Sequence, residues 1–352
     1  MPLVVDGYGD RDTKTCALAV EHLPEFVTTG ITAKALTAAL ECLVAASAEP
    51  PIGLILGTGF EDRPLLVADL AEDYDLLGTS AASITHCKRP AQFFPTLARL
   101  GIPHPETLFK PPANPDGWLK KRTGGSGGLH IRNATATTSK TSEHTYFQRR
   151  VSGDAISVLG IVSAQGDAFA FSRQWTAPSP FHPYRYGGAT GPLTLDEDLE
   201  ARLIDTCMTL AREFELQGIV SFDFLVNDGE PLLIEINPRP GATLDVFDDA
   251  SGTLFSAHIA ACTGDNPAEL LQQRWQPPAA RSVAYLYADT EPLTVNAHEW
   301  PQWALDRPAP GTHIAKYDPI ATVSAEAGTP DEAEHLCFER MGQLTAMLYD
   351  SV

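Results

Sequence analysis

Residues 221–239 read SFDFLVNDGEPLLIEINPR, and this stretch decides the fold of the protein. Two apolar runs flank an Asn-Asp-Gly turn signal, which is typical of a β-hairpin. Since side chains alternate between the two faces of a strand, one face should carry the apolar side chains of both strands. These are Phe222, Phe224, Val226, Leu232, Ile234 and Ile236. The opposite face should carry three polar side chains: Asp223, Glu235 and Asn237.

A three-residue loop over residues 228–230 would place Asp223 directly across from Glu235, with their Cβ atoms about 5 Å apart. The amide oxygen of Asn237 would then lie beside two carboxylates. Carboxylates this close repel each other unless a cation lies between them, and Mg²⁺ prefers a set of ligands that is all oxygen. The plainer alternative is a half-exposed hairpin whose acidic residues face water.

Two further segments favour binding of an anion. The turn at residues 238–241 (PRPG) presents Arg239 just beyond the carboxylates, and an arginine can pair bidentately with a phosphate or a carboxylate. Upstream, a strand-like run at 118–122 (WLKKR) leads into the loop GGSGG at 124–128. Backbone N–H groups of such a loop can approach phosphate oxygens, although the segment is not a P-loop and could equally be a flexible surface turn.

In this order along the chain, these features resemble the ATP-grasp superfamily of ligases. The matching features are Lys88 ahead of a helix, Lys120 before GGSGG, a hinge at 148–153, Asp223, and the run EINPR at 235–239. The resemblance implies an α/β fold with three parts. These are an N-terminal parallel-sheet domain over 1–106, an ATP-grasp domain over 107–278, and a small C-terminal α/β module over 279–352. Within the second part, the lid is expected at about 107–165 and the metal-binding hairpin at 220–241.

The resemblance also implies roles for individual residues. The residues expected to bind ATP are Lys88, Lys120, Gly124, Gly125, Ser126, Gly127, Gly128, Gln148, Arg149, Arg150, Val151 and Asp154. Asp223, Glu235 and Asn237 would hold one or two Mg²⁺ (or Mn²⁺) ions, with Arg239 and Lys120 as catalytic residues. Two departures from the family pattern matter. Ala155 stands where an acidic residue is common, and the pair Lys120–Lys121 leaves open which lysine faces the nucleotide.

By this resemblance the protein is expected to be an ADP-forming ligase that activates a carboxylate as an acyl phosphate and joins it to an amine. Both substrates would be small molecules. Within the superfamily, the sequence resembles the tyramine–glutamate ligase-related group. This resemblance implies a role in synthesis of a one-carbon (furan or pterin) cofactor. Two alternatives stay open: a carboligase that uses bicarbonate and ATP, and a nucleotide-binding or assembly protein without catalysis. Loops at 6–13, 57–60 and 182–188 are candidates for the substrate pocket.

Composition limits the possible partners. The chain has 352 residues, 25 Lys plus Arg against 45 Asp plus Glu, and a formal charge of −20. Because phosphate backbones and anionic membranes require concentrated positive charge, neither nucleic acid nor a membrane is an expected partner. The six cysteines are scattered singly, which favours reduced thiols in a cytoplasmic protein over a disulfide framework. The oligomeric state stays open, with a homodimer the form that the resemblance implies.

Local patterns also predict individual elements. Helices are expected over 16–23, 33–48, 91–100, 196–216, 252–262 and 330–348. Strands are expected over 3–6, 52–56, 146–151 and 155–162. A seam rich in Pro and Gln at 272–278 marks the expected boundary before the C-terminal module.

Overall fold

The computed structural model describes residues 1–135, 144–248, 251–271, 279–297 and 299–349. The chain divides into two compact units. The first unit joins residues 1–53 to residues 281–352, and the second contains residues 54–280. The structure therefore groups the chain differently from the three expected parts, 1–106, 107–278 and 279–352. The expected seam at 272–278 lies outside the described residues.

Helices and strands occur mostly in runs along the chain. The helices are α1 (Arg11–Cys16), α2 (Glu25–Thr28), α3 (Ala33–Ala46), α4 (Pro64–Asp73), α5 (Ala81–Lys88), α6 (Pro90–Leu100), α7 (Glu197–Glu213), α8 (Leu244–Phe247), α9 (Thr253–Thr263), α10 (Pro267–Leu271) and α11 (Pro330–Tyr349). The strands are β1 (Leu3–Asp6), β2 (Ala19–His22), β3 (Thr107–Leu108), β4 (Trp118–Arg122), β5 (Arg132–Asn133), β6 (Thr145–Arg149), β7 (Asp154–Val162), β8 (Ala168–Thr176), β9 (Tyr186–Gly191), β10 (Gly218–Asn227), β11 (Glu230–Asn237), β12 (Ala280–Tyr287), β13 (Leu293–Thr294), β14 (Ala304–Leu305), β15 (His313–Ile314) and β16 (Pro319–Ala327). Helices α2–α6 are followed by strands β3–β9, and helices α8–α10 are followed by strands β12–β16. Among the described residues, no helix is both long enough and apolar enough to cross a membrane.

In the first unit, the expected helix over 16–23 is wrong. The Asp10 side chain accepts hydrogen bonds from the backbone N–H groups of Asp12 and Thr13, so helix α1 starts at Arg11 and ends at Cys16. The residues that follow form β2, which pairs in parallel with β1. Pairing with β1 satisfies the backbone groups of β2, and this long-range gain outweighs the weak local preference for helix.

An ion pair joins the two ends of the chain within this unit. The Arg307 guanidinium contacts the Asp12 carboxylate, and the N–H of Arg11 donates to the carbonyl of Arg307 at 3.1 Å. In the C-terminal part, β12, β16 and β14 are neighbours in a sheet, and α11 packs on β16. The thiol of Cys337 in α11 donates to the carbonyl of Val323 in β16 at 3.4 Å. The expected terminal helix over 330–348 is confirmed as α11.

The second unit is built on an antiparallel sheet. Five strands of this unit are neighbours in the sheet, in the order β11, β10, β7, β8 and β9. Side chains of α6 and α7 pack on this sheet in one apolar cluster, which includes Phe93, Phe94, Leu97, Leu203, Leu210, Phe222, Leu233 and Ile236. Because α6 buries its apolar face in this cluster, residues 54–106 belong with the sheet and not with the N-terminal strands.

A second, smaller sheet of this unit lies within the segment 107–165, of which β7 belongs to the larger sheet. Its strands lie in the order β3, β6, β4 and β5, and all are antiparallel. Helix α6 ends at Gly101, which has the left-handed conformation with a φ of 69°. The expected strand over 52–56 is reduced to one bridge, in which Leu54 pairs in parallel with Leu76.

Candidate active site

The predicted hairpin exists, and Asp223 lies opposite Glu235. The expected length of the hairpin loop was wrong, however. Asn227 pairs with Glu230, so the loop has two residues, Asp228 and Gly229, which both have positive φ. A two-residue loop alone would place Asp223 opposite residue 234, but a β-bulge shifts the register between Asp223 and Phe224 by one residue.

The bulge also changes which side chains of β11 reach the core. Leu233 and Ile236 are fully buried, whereas Leu232 and Ile234 are only partly buried. The expectation that Leu232 and Ile234 face the core is therefore wrong. The extra residue in the bulged strand interrupts the alternation of faces, so the two core residues of β11 lie three positions apart instead of two.

Asp223 is surrounded by hydrogen-bond donors from three strands. Its Oδ1 accepts from Ser157 Oγ at 2.7 Å and from Gln174 Nε2 at 3.0 Å. Its Oδ2 accepts from Asn237 Nδ2 at 2.9 Å. Burial and the nearby Glu235 carboxylate nevertheless raise the pKa of Asp223 above its ordinary value. A positive charge at this point would relieve both effects.

Lys88 supplies one positive charge to β11, the second strand of the hairpin. This buried lysine ends helix α5, and its Nζ donates to Glu235 Oε1 and, at 2.9 Å, to Asn237 Oδ1. Burial by itself would raise the pKa of Glu235, but Lys88, followed by His130 and Lys121, holds that pKa below its ordinary value. The three predicted metal ligands and Lys88 thus form one connected cluster.

The donor set fits a hard divalent cation. Within the described ranges, no three His, Cys, Asp or Glu side chains cluster closely enough to hold a metal ion by themselves. Asp223, Glu235 and Asn237 instead offer two carboxylates and one amide, whose oxygens are the ligands that Mg²⁺ prefers. Burial and, after it, the Glu235 carboxylate raise the pKa of Asp223, so a bound cation would stabilise the ionised form of this carboxyl group.

The structure distinguishes the two lysines of β4. Lys121 is buried, and its Nζ donates to Gln148 Oε1 at 2.6 Å. Burial lowers the pKa of Lys121 to about 8, while the Glu235 carboxylate acts in the opposite direction. Lys120 is half-buried on the other face of the strand, where it lies opposite Arg132 and Phe147. The ammonium group that joins the cluster therefore belongs to Lys121.

The loop at 124–128 packs tightly against other parts of the unit. A Cβ atom at Gly128 would lie 1.7 Å from the carbonyl oxygen of Tyr184, and one at Gly125 would lie 2.2 Å from the His130 ring. The N–H of Tyr186 donates to the carbonyl of Gly127 at 3.0 Å. Glycine is required at positions 125 and 128 because of these close approaches. The sequence analysis expected this loop to contact phosphate and did not predict this packing.

The remaining residues of the predicted hinge differ in burial. Gln148 is buried and accepts a hydrogen bond from Lys121. Val151 is half-buried, and the exposed residues are Arg149, Arg150 and Asp154. The Arg149 guanidinium lies 4.8 Å from the centre of the Trp118 ring. Asp154 lies three residues from Ser157 in β7, about 10 Å along the strand, so it is placed away from the carboxylate cluster.

Sequence reasoning assigned no role in the site to Glu61 or to His130. Glu61 is buried, and its Oε1 accepts from Arg239 Nε at 2.7 Å. His130 lines one cavity with Lys88, Glu235, Gly124 and Gly125. Burial lowers the pKa of His130 to about 4, so its ring is neutral at pH 7. The Gly-Thr-Gly stretch at 57–59 had marked the loop before Glu61, but no local pattern connects Glu61 to an arginine 178 positions away.

Similarity to known proteins agrees with this arrangement. Residues 91–243 match the ATP-grasp domain family. The carbamoyl phosphate synthase large chain of Myxococcus xanthus is 23% identical over 239 residues, which are 61% of this chain and 22% of that protein. The chain thus spans about a fifth of the length of that relative.

Two solved structures share the fold across most of the chain. L-amino acid ligase from Bacillus licheniformis has a TM-score of 0.68 and 12% identity, and the match covers 96% of each chain. The biotin carboxylase domain of Hydrogenobacter thermophilus 2-oxoglutarate carboxylase, in complex with MgADP, ADP and bicarbonate, has a TM-score of 0.70 and 12% identity. That match covers 92% of this chain and 81% of the other. Residues 91–243 therefore form an ATP-grasp domain, and the likeness to these solved structures shows that the chain shares their fold.

Proposed function

We propose that this protein is an ATP-dependent ligase that activates a small carboxylate as an acyl phosphate and joins it to an amine. One observation carries the proposal. Two buried lysines from separate elements, Lys88 and Lys121, lie in one electrostatic cluster with the Asp223 and Glu235 carboxylates of the hairpin. Burying such a cluster costs free energy, because its charges lose their contact with water. We therefore infer that these charges bind a ligand.

The charges suit a reaction between anions. Transfer of a phosphoryl group to a carboxylate brings negative groups together, so cations and oriented dipoles must do most of the work. Lys88 and Lys121 would bind phosphate oxygens, and the glycine loop at 124–128 would bring backbone N–H groups close to them. Arg239 would hold the carboxylate of the acid and stabilise the charge that develops on it.

The same cluster indicates where a metal ion and a nucleotide would bind. Asp223, Glu235 and Asn237 would hold Mg²⁺ through their oxygens, and Ser157 and Gln174 keep the Asp223 carboxylate in place by hydrogen bonds. When bound, the cation would neutralise phosphate charge. The solved structure of the Hydrogenobacter thermophilus domain contains MgADP, which supports ATP and Mg²⁺ as cofactors here.

Binding of nucleotide by the purified protein tests this proposal. We expect ADP, or a non-hydrolysable ATP analogue, to raise the melting temperature only when Mg²⁺ is present. A ligand at 100 times its dissociation constant stabilises a folded protein by about 2.7 kcal/mol, which is readily detected. In Glu235→Gln the Mg²⁺-dependent part of the shift should disappear, because one carboxylate ligand is lost.

Glu230→Gln is the matched control, since it makes the same change at an exposed position in the same strand. The control should respond to nucleotide as the unmodified protein does. If nucleotide with Mg²⁺ leaves the melting temperature unchanged, the proposal is wrong. Binding that persists without any turnover across acids and amines would instead favour an assembly protein without catalysis.

Release of phosphate separates the possible reactions. A carboxylate–amine ligase should form ADP and phosphate only when both an acid and an amine are supplied. ADP formation that depends on bicarbonate alone would favour a carboligase, and the bicarbonate in the Hydrogenobacter thermophilus complex makes this the first alternative to test. The place in one-carbon cofactor synthesis and the homodimer both stay predictions.

A further inference from the structure

Glu61 and Arg239 form a buried ion pair at the edge of the proposed site. Glu61 Oε1 lies 2.7 Å from Arg239 Nη2 and accepts from Arg239 Nε at 2.7 Å. Glu61 Oε2 accepts from the backbone N–H of Gly59, also at 2.7 Å. Only 4% of the Glu61 side chain and 11% of the Arg239 side chain are exposed. Both oxygens of this carboxylate are therefore engaged, and it is fixed in place.

The pairing uses one edge of the guanidinium group and leaves other donors available. An arginine carries five N–H donors. Glu61 engages the edge formed by Nε and Nη2, and Nη1 donates to the carbonyl of Pro240 at 2.9 Å. One further hydrogen on each of the two Nη atoms is not required by these contacts. Glu61 and Arg239 both line a cavity with Gly57 and Phe60.

The charge of Glu61 is stable at neutral pH. Burial by itself would raise the pKa of this carboxyl group, but Arg239 and then Lys88 hold it below its ordinary value. An ionised Glu61 fixes the orientation of Arg239 but also offsets part of its positive charge. Its net effect on an anion must therefore come from orientation, since a fixed pair of N–H groups can meet two oxygens at once.

We propose that Glu61 is a positioning residue that holds Arg239 by its Nε–Nη2 edge, so that the remaining donors bind the carboxylate of the acid and then its acyl phosphate. This inference rests on the proposed function. It adds a residue outside the grasp domain match at 91–243, and it assigns the cavity beside Arg239 to the acid.

The test measures two affinities by calorimetry. The first is the affinity for Mg·ADP, and the second is the affinity of the Mg·ADP-bound protein for acetylphosphonate, an anion that carries the acyl and phosphoryl groups of acetyl phosphate without its bridging oxygen. Four variants are compared with the unmodified protein: Glu61→Gln, Glu61→Asp, Arg239→Lys and Glu72→Gln. Glu72 is an exposed residue of α4, so its variant makes the same chemical change away from the site.

We expect the unmodified protein and Glu72→Gln to bind acetylphosphonate alike. Glu61→Gln should weaken that binding by about tenfold, because a charge-assisted contact that orients the donor is lost, and should leave the affinity for Mg·ADP within about twofold. Glu61→Asp, which keeps the charge, should recover part of the loss. Arg239→Lys should bind the probe as weakly as Glu61→Gln or more weakly, because lysine cannot present two parallel donors.

Several outcomes would overturn the inference. In one, Glu61→Gln has a lower melting temperature but an unchanged affinity for acetylphosphonate, which would show a purely structural role. In another, the unmodified protein binds Mg·ADP but not the probe, which would remove the acid site and leave the nucleotide site intact. Failure to bind Mg·ADP at all would instead contradict the proposed function itself. If Glu61→Gln does not fold, Glu61→Asp decides the question, since a probe affinity equal to that of the unmodified protein would contradict positioning by Glu61.

Discussion

Lys120 and Lys121 are neighbours in β4, yet their surroundings differ because a strand turns successive side chains to opposite faces. Lys121 is buried against Gln148, while Lys120 is half-buried on the other side. The resemblance had favoured Lys120 as a ligand of the nucleotide. The packing of β4 against β6 favours Lys121 for that role.

A pair of substitutions tests this choice. Lys121→Gln should weaken binding of Mg·ADP by about tenfold or more, since a charge-assisted contact contributes about 1.5–3 kcal/mol. Lys120→Gln should change the affinity by less than about twofold. Both affinities can be measured by calorimetry, and each variant serves as the control for the other. Equal losses in the two variants would contradict the distinction.

At the scale of elements, the hairpin turn controls which residues meet. Asp228 and Gly229 have φ values of 49° and 77°, the left-handed region that a two-residue hairpin loop requires. No atom lies within 4 Å of the position that a Cβ would take at Gly229. Space therefore permits a side chain there, and the backbone conformation alone opposes it.

Gly229→Ala should lower the free energy of unfolding by about 1–2 kcal/mol, the cost of a left-handed conformation for a residue with a side chain. The same change at Gly342, which is exposed within helix α11, should raise the free energy of unfolding by about 0.5–1 kcal/mol, because alanine favours helix. Denaturation in urea measures both. A stabilising effect at residue 229 would contradict the turn conformation.

At the scale of the whole molecule, the chain returns to its first unit after completing the second. Residues 54–280 contain every residue of the candidate site, whereas residues 1–53 and 281–352 form the other unit. The contact between Arg307 and Asp12 ties the two ends of the chain together within that unit. The candidate loop at 6–13 belongs to this first unit, whereas Asp223 and its cluster belong to the second.

Hydrogen exchange can follow the two units separately. On binding of Mg·ADP, backbone amides of β4, β6, β10 and β11 should exchange more slowly, because the ligand stabilises the unit that holds it. Amides of β1, β2 and α11 should keep their original rates. Equal protection across both sets of strands and helices would show that the nucleotide acts on more than residues 54–280. The Glu235→Gln variant, treated in the same way, provides the control.

Sequence by itself determined the features that depend on local spacing. These are the hairpin, the facing of Asp223 and Glu235, the helices α3, α6, α7, α9 and α11, and the ATP-grasp domain at 91–243. Alternation along a strand and periodicity along a helix involve residues that are close together in the chain, so the amino-acid sequence displays both patterns directly. The register of the hairpin was right although its loop was assigned one residue too many.

Tertiary structure alone decided the features that depend on distant contacts. The burial of Lys121, the division at residues 53 and 281, and the pairing of Glu61 with Arg239 all belong to this group. Each results from packing between segments far apart in sequence, and burial changes the energy of a charge more than any local preference does. No local sequence pattern identifies Arg239 as the partner of Glu61. The two residues meet only when the sheet packs against the helices that precede it in the chain.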